Sequence, residues 1–338
     1  MRRLMMGRLT MRRLTLAGAM LLGLVHAAQA GTALDAIRQR HGLRCGVNVG
    51  APDFSKADTN GGLSAFSRDI CRALAAAIMG EAAQATVVSF DDEPTAMRAL
   101  AAGRVDIVAA ATPSLTNRTA FAASFGPPVL VTGQGFLVPR AAGIARIADL
   151  AGQQVCFLGG TVAEAVLDAE APRRHLAVIR TPFEETGEMQ AALVTGHCAA
   201  IMNDLTTLAD ARAGFHGQAA DYVILDETLT TEALAPAIRT GDAGWAAVVD
   251  ATVSALLRAE ELGMTQASAD AKGMSALAPS SGGALGLAPD WALWAVRAAG
   301  NYGELFERDL GARSPLRLRR GPNRPASQGG LLLASPFR

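Results

Sequence analysis

The stretch VDIVAAATPSLTNR, residues 105–118, runs from an apolar strand pattern into Thr112, Pro113, Ser114 and Thr116, and then Arg118. A second stretch, HCAAIMND at 197–204, has the same form and ends on Asp204. Each follows a helix pattern closed by a glycine, Gly103 in one case and Gly196 in the other. An arginine's planar donors can fork onto both oxygens of a carboxylate, and an aspartate can accept from an ammonium. A third stretch, QQVCFLGG at 153–160, leads into Thr161 at the start of a helix pattern. The positive end of such a helix favours an anion. Together these groups suit a small ligand carrying both a carboxylate and an ammonium. Taken singly, each has a plainer reading: Arg118 as a surface ion pair, Asp204 and Thr161 as helix caps.

Strands and helices must aim these residues, and the patterns alternate. LRCGVNVG (43–50) reads as a strand. SRDICRALAAAIMG (67–80) reads as a helix with Ile70, Leu74 and Ile78 on one face and Gly80 as its stop. ATVVSF (85–90) is a short strand, and EPTAMRALAAG (93–103) a helix with proline near its first turn. In the second half Thr161 opens the helix TVAEAVLDAE, with Glu164 at capping-box spacing, and EETGEMQAALVTG (184–196) forms another helix. Such alternation predicts α/β lobes built on mostly parallel sheets. Ligands of open α/β sheets sit beyond the carboxyl ends of the strands. Two facing lobes therefore place Thr112 and Arg118 on one wall, and Thr161 and Asp204 on the other. From about residue 241 the pattern is helical (244–263, then 288–311), and Trp291, Trp294, Tyr302 and Phe306 are expected to pack between helices. The tail carries Arg313, Arg317, Arg319, Arg320 and Arg324 among prolines and glycines, and reads as a solvated tail packed along a lobe.

Residues 1–30 read as a cleaved signal peptide. They hold Arg2, Arg3, Arg8, Arg12 and Arg13, no acid, an apolar run from Leu14 to Val25, and the small-residue end Ala28-Gln29-Ala30. That run is shorter than the ~20 residues a membrane span needs. Met11 begins a second complete signal, so either Met1 or Met11 fits as the start. Without its five arginines the mature chain has 26 basic and 31 acidic residues, a net charge of −5. That balance argues against general nucleic-acid binding. Cys45, Cys71, Cys156 and Cys198 make an even count in an exported chain, which suggests disulfides, and three connectivities are open. No C-x-x-C spacing occurs, and no metal or cofactor is expected. An enzyme needs an acid or base poised in the cleft. His26 lies in the signal, while His41, His175, His197 and His216 lie at element edges.

The residues add up to a resemblance to the periplasmic substrate-binding proteins of amino-acid ABC transporters (solute-binding family 3), and within them to the general L-amino-acid-binding subgroup. It spans the mature chain and rests on RCGVN, DICRALAAAI, PTAMRALAAGRVDI, GQGFLV (133–138), VCFLGGT, LAPAIRTGD (234–242), AEELGMT (259–265), GNYGELFERDLG (300–311), SPLRLRRG (314–321) and GGLLLASPFR. The resemblance implies a type II periplasmic-binding-protein fold with a two-strand hinge, lobe one comprising 31–131 and 235–338 and lobe two 132–234. It implies Arg118 on the ligand α-carboxylate, Asp204 on the α-ammonium, Thr112 as a hydroxyl of the arginine loop, and Thr161 with Val162 as helix-start donors. Phe54 lines the first loop and Asn48 meets the ligand side chain. It also implies the pairings Cys45–Cys71 and Cys156–Cys198, a periplasmic monomer, an L-amino-acid ligand and delivery to a membrane permease. The alternatives are a degenerate paralogue that senses a ligand, or a periplasmic enzyme on the same scaffold. The chain departs from the subgroup at Ala65-Phe66-Ser67-Arg68-Asp69, at Thr112-Pro113-Ser114-Leu115, at Thr161-Val162-Ala163, and at Val129–Thr132, where paired tyrosines are expected. These departures predict an altered, less aromatic side-chain pocket.

Overall fold

Two sheets organise the chain. The computed structural model describes residues 33–48, 62–215, 217–270, 273, 276–277 and 282–337. The signal peptide and Phe54 lie outside the described residues. In the first sheet β1 (Leu43–Asn48) lies between β2 (Ala85–Phe90) and β3 (Ile107–Ala111), all three parallel. In the second, β7 (Gln154–Leu158) lies between β8 (Ile179–Phe183) and β9 (Ala200–Asp204), again parallel. The same three-strand unit therefore occurs twice.

Antiparallel strands complete both sheets. In the first, β11 (Glu232–Arg239) runs against β3, β4 (Ala123–Phe125) and β5 (Leu130–Thr132). In the second, β6 (Gln134–Pro139) runs against β9 and β10 (Tyr222–Ile224). Each sheet is thus mixed, with a parallel core of three strands. The chain passes from β5 to β6 through Gly133, where an added Cβ would lie 2.1 Å from the Thr230 carbonyl oxygen. Only glycine lets the two crossing segments approach this closely.

Sequence chemistry explains the main elements. β3 is buried along its whole length and rich in alanine, as a strand covered on both faces must be. Helix α2 (Leu63–Met79) starts four residues before the predicted position and buries Phe66, Ile70, Leu74 and Ile78. Helix α3 (Glu93–Ala101) is capped by Asp92, whose carboxylate accepts from the Thr95 amide at 2.6 Å. The helix expected over 288–311 is broken into Trp291–Ala299 and Tyr302–Asp309. Gly300 at φ 92° ends the first, and Asn301 with Glu304 forms a capping box that starts the second. Trp291, Tyr302 and Phe306 are fully buried, while Trp294 is only partly so. Arg320 of the basic tail is packed rather than solvated: it pairs with Glu260 at 3.0 Å and lies over the rings of Tyr302 and Phe306.

Both expected disulfides are present. Cys45 of β1 joins Cys71 of α2, and Cys156 of β7 joins Cys198 in the turn before β9. The cysteines stand at the same position, the third residue, of two equivalent strands.

The departure at residues 65–69 lies in α2. Asp69 and Ser67 are buried, and Asp69 pairs with Arg72 at 2.6 Å and with Arg308. Beside it Asp309 is 5% exposed. Burial first, and the neighbouring Asp69 carboxylate next, push the Asp309 carboxyl up to about 7, against the pull of Arg308. The fold therefore favours the protonated form of Asp309. Its contribution to stability is full below the ordinary value near 3.8 and is lost as pH rises through about 7. Asp309→Asn is expected to raise the thermal midpoint above that pH and to flatten its fall with rising pH. Melting curves across about pH 5 to 8 check this, and an unchanged pH profile would overturn it.

Candidate functional site

In both sheets the candidate charge stands at or just beyond the carboxyl end of the third parallel strand. In the first sheet Thr112 follows β3 and Ser114 caps the short helix α4 (Leu115–Ala120), its hydroxyl accepting from the Asn117 amide at 3.1 Å. Arg118 lies one turn into α4 and is exposed. Its guanidinium stands over the ring of Phe125 on β4, 4.8 Å from the centroid. That stacking holds the side chain without a counter-charge, and among the described residues no carboxylate pairs with Arg118.

The Arg118 loop is anchored by Glu93, a residue that the sequence reading missed. Glu93 begins α3, and its Oε2 accepts from both the backbone amide and the hydroxyl of Thr112, at 2.9 and 3.0 Å. Its Oε1 accepts from Asn117 Nδ2 at 2.7 Å, and the same amide nitrogen donates to the Thr112 carbonyl at 2.8 Å. Both Thr112 donors are therefore committed, so Thr112 offers a ligand only the lone pairs of its hydroxyl. Pro113 adds no N–H to this wall. An acid directly before a helix-start proline was the available signal, but it reads equally well as a favourable first-turn charge.

On the second sheet, Thr161 sits at the N-cap of α5 (Val162–Arg173), as expected, but its side chain makes no cap. Its hydroxyl turns back to donate to the Leu158 carbonyl at 2.7 Å, and Glu164 accepts from the Gly160 amide at 2.7 Å. The capping box is therefore not formed. The N-terminal amides of α5 lack a side-chain acceptor from Thr161, which suits them to an anion. Val162, at the first helical position, is 60% exposed, and Leu115 at the start of α4 is 80% exposed. Both candidate walls thus carry an aliphatic side chain open to solvent.

Asp204 ends β9 and caps α7 (Leu205–Gly214). Its Oδ1 accepts from the Thr206 amide and hydroxyl at 2.8 and 2.6 Å, and its Oδ2 accepts from the Thr132 hydroxyl at 2.7 Å. A carboxylate has about four lone-pair positions, so three donors fix its orientation and leave one open. Thr132 is buried and ends β5, the strand that crosses between sheets, so the threonine standing in the expected tyrosine region now orients the anion.

Asn48 ends β1, paired with Phe90 at the end of β2, which sets it at the carboxyl edge of the first sheet. No hydrogen bond or ion pair among the described residues joins Arg118 to Asp204. His41, His175 and His197 all precede strands and so belong to the opposite, amino edges. His197 Nε2 lies 3.1 Å from the amide of Gln154, the first residue of β7. Among the described residues no cluster of histidine, cysteine and acidic groups could hold a metal ion, and no helix is long and apolar enough to cross a membrane.

Two α/β sheets linked by crossing strands, with a cation and an oriented anion beyond their strand ends, define a two-lobed ligand-binding protein. The chain belongs to the bacterial extracellular solute-binding proteins, family 3, whose model matches residues 43–268. It is 34% identical over 329 residues to the glutamate/glutamine/aspartate/asparagine-binding protein BztA of Rhodobacter capsulatus, covering 94% of this chain and 97% of that protein. It is 32% identical over 335 residues to the general L-amino acid-binding periplasmic protein AapJ of Rhizobium johnstonii, covering 95% and 97%. Among solved structures it is similar to an ABC transporter/periplasmic binding protein from Brucella ovis with glutathione bound. That match has 31% identity and a TM-score of 0.73 over 91% of this chain and 99% of the other.

Proposed function

We propose that the chain binds an L-amino acid, or a ligand presenting the same α-carboxylate and α-ammonium, between its two lobes, and delivers it to the permease of an ABC transporter. The observation that carries this reading is the exposed Arg118 guanidinium, held on Phe125 with no carboxylate partner among the described residues, in the helix that follows the strand end equivalent to that of the pre-oriented Asp204. Arg118 takes the ligand carboxylate, supported by the α5 amides of Thr161 and Val162. Asp204 takes the ammonium at its open lone pair, and the Thr112 hydroxyl accepts beside it. Phe54 and Asn48 line the side-chain end. The lobes comprise residues 31–131 with 235–338, and 132–234. The mature chain is exported to the periplasm after removal of residues 1–30, and acts there as a monomer. Closure of the lobes is the event that the permease reads. His41, His175 and His197 stand at the amino edges of the strands, away from this clamp, and the relatives above are named as binding proteins, which supports binding without chemistry.

The test is calorimetric titration of the mature protein with the twenty amino acids and with glutathione, whose γ-glutamyl end carries the same charged pair. Saturable binding of one or more is expected, and binding of none would overturn the reading. Asp204→Asn keeps an oxygen for Thr206 but loses the charge that meets the ammonium. Affinity is expected to fall at least tenfold, since hydrogen bonds to charged groups contribute about 1.5–3 kcal/mol. The thermal midpoint should move little. An undiminished affinity would remove Asp204 from the site.

A further inference from the structure

A second concentration of charge lies away from the strand-end site, where the tail meets the second lobe. Arg140 follows β6, Arg212 is in the last turn of α7, and Arg317 and Arg319 belong to the tail after the final helix. The first three line a cavity of about 480 Å³ together with Ala213, Ala220 and Pro315. Only Arg319 has a carboxylate partner, Asp226, and among the described residues none pairs with the other three. Arg140 donates from Nε to the Ala220 carbonyl at 3.1 Å, and Arg212 donates to the carbonyls of Leu316 and Arg317. These partners are neutral and leave the charges uncompensated. Burial, then Arg317, Arg319 and Arg140, lower the Arg212 pKa, so the other three guanidinium charges reach Arg212. Like charges gathered around a cavity repel unless an anion joins them.

We propose that this cavity is a binding site for a phosphate-class anion, distinct from the strand-end site. Three guanidinium groups line it, and their planar donors suit the several oxygens of a phosphate group. A single carboxylate would neutralise only one of the three charges. The cavity has one wall from each part of the fold. Arg140, Arg212 and the 217–220 segment belong to the second sheet and its helices. Pro315 and Arg317 belong to the tail, which is tied to the first lobe through Leu318 N donating to the Leu310 carbonyl at 2.8 Å and through the Arg320–Glu260 pair. Two sources carry this chemistry: a soluble oligophosphate, or the headgroup of an anionic phospholipid at the membrane where a permease sits.

The experiment is titration of the mature protein with sodium pyrophosphate against sodium chloride of equal ionic strength. In parallel, the protein is co-sedimented with phosphatidylglycerol vesicles and with phosphatidylcholine vesicles. Saturable, one-to-one pyrophosphate binding identifies a soluble ligand, and selective sedimentation with phosphatidylglycerol without it identifies a headgroup. Either supports the proposal if Arg140→Gln/Arg317→Gln weakens it at least about tenfold, as loss of two charge-assisted contacts predicts. Both residues are exposed, so the double variant should fold; an unchanged thermal midpoint verifies this. Binding should survive Arg118→Ala, which separates this site from the amino-acid clamp. No binding in either format, or binding that the double variant leaves intact, would overturn the proposal.

Discussion

Arg118→Ala is expected to weaken amino-acid binding by at least about a hundredfold, a loss near 3 kcal/mol or more. In the clamp proposed above, the ligand carboxylate would lose its charged partner on the first lobe and be left buried without it. The free protein should be nearly unaffected, because Arg118 is exposed and its stacking on Phe125 is a surface contact. Titration of wild type and variant with the same amino acid reads the first quantity, and thermal denaturation the second. Arg118→Lys should recover only part of the loss, since an ammonium is a point charge without the fork. Unchanged affinity in Arg118→Ala would remove this residue from the site while leaving the fold assignment standing.

Removal of the Cys156–Cys198 bridge should produce the largest change in stability. The bridge spans 42 residues, which on the chain-entropy model contributes about 4 kcal/mol by restricting the unfolded chain. It ties β7 to the turn before β9, and β7 and β9 supply the Thr161 and Asp204 ends of the second wall. Cys156→Ala/Cys198→Ala should therefore lower the denaturant midpoint strongly and weaken ligand binding with it. The Cys45–Cys71 bridge, spanning 26 residues, should contribute slightly less. Urea titrations of the two double variants beside the oxidised protein check both the size and the order. Equal midpoints for all three would show that neither bridge constrains the unfolded chain as argued.

Much of this architecture was legible from residue order. Alternating helix and strand patterns with glycine stops located the strands that lead into Thr112 and end at Asp204, because a buried parallel strand must be apolar and its exit polar. Some features were not legible at that level. The split at Gly300-Asn301 lay hidden inside a continuous helical pattern, since a capping box restores what the glycine interrupts. The threonine-to-glutamate spacing at 161–164 suggested a cap, yet the Thr161 hydroxyl found a nearer acceptor in the Leu158 carbonyl.

By itself, the sequence determined the two repeated units, the charges at their strand ends, and the cysteines that brace them, all properties of local pattern and composition. Tertiary structure alone decided how those charges are used. Glu93 meets Thr112 and Asn117, and Thr132 meets Asp204, across 19 to 72 residues of chain. Arg140, Arg212, Arg317 and Arg319 gather from three separate segments. Hydrogen bonds and Coulomb forces act over a few ångströms of space, and distance along the chain does not reveal which residues the fold will bring within that range.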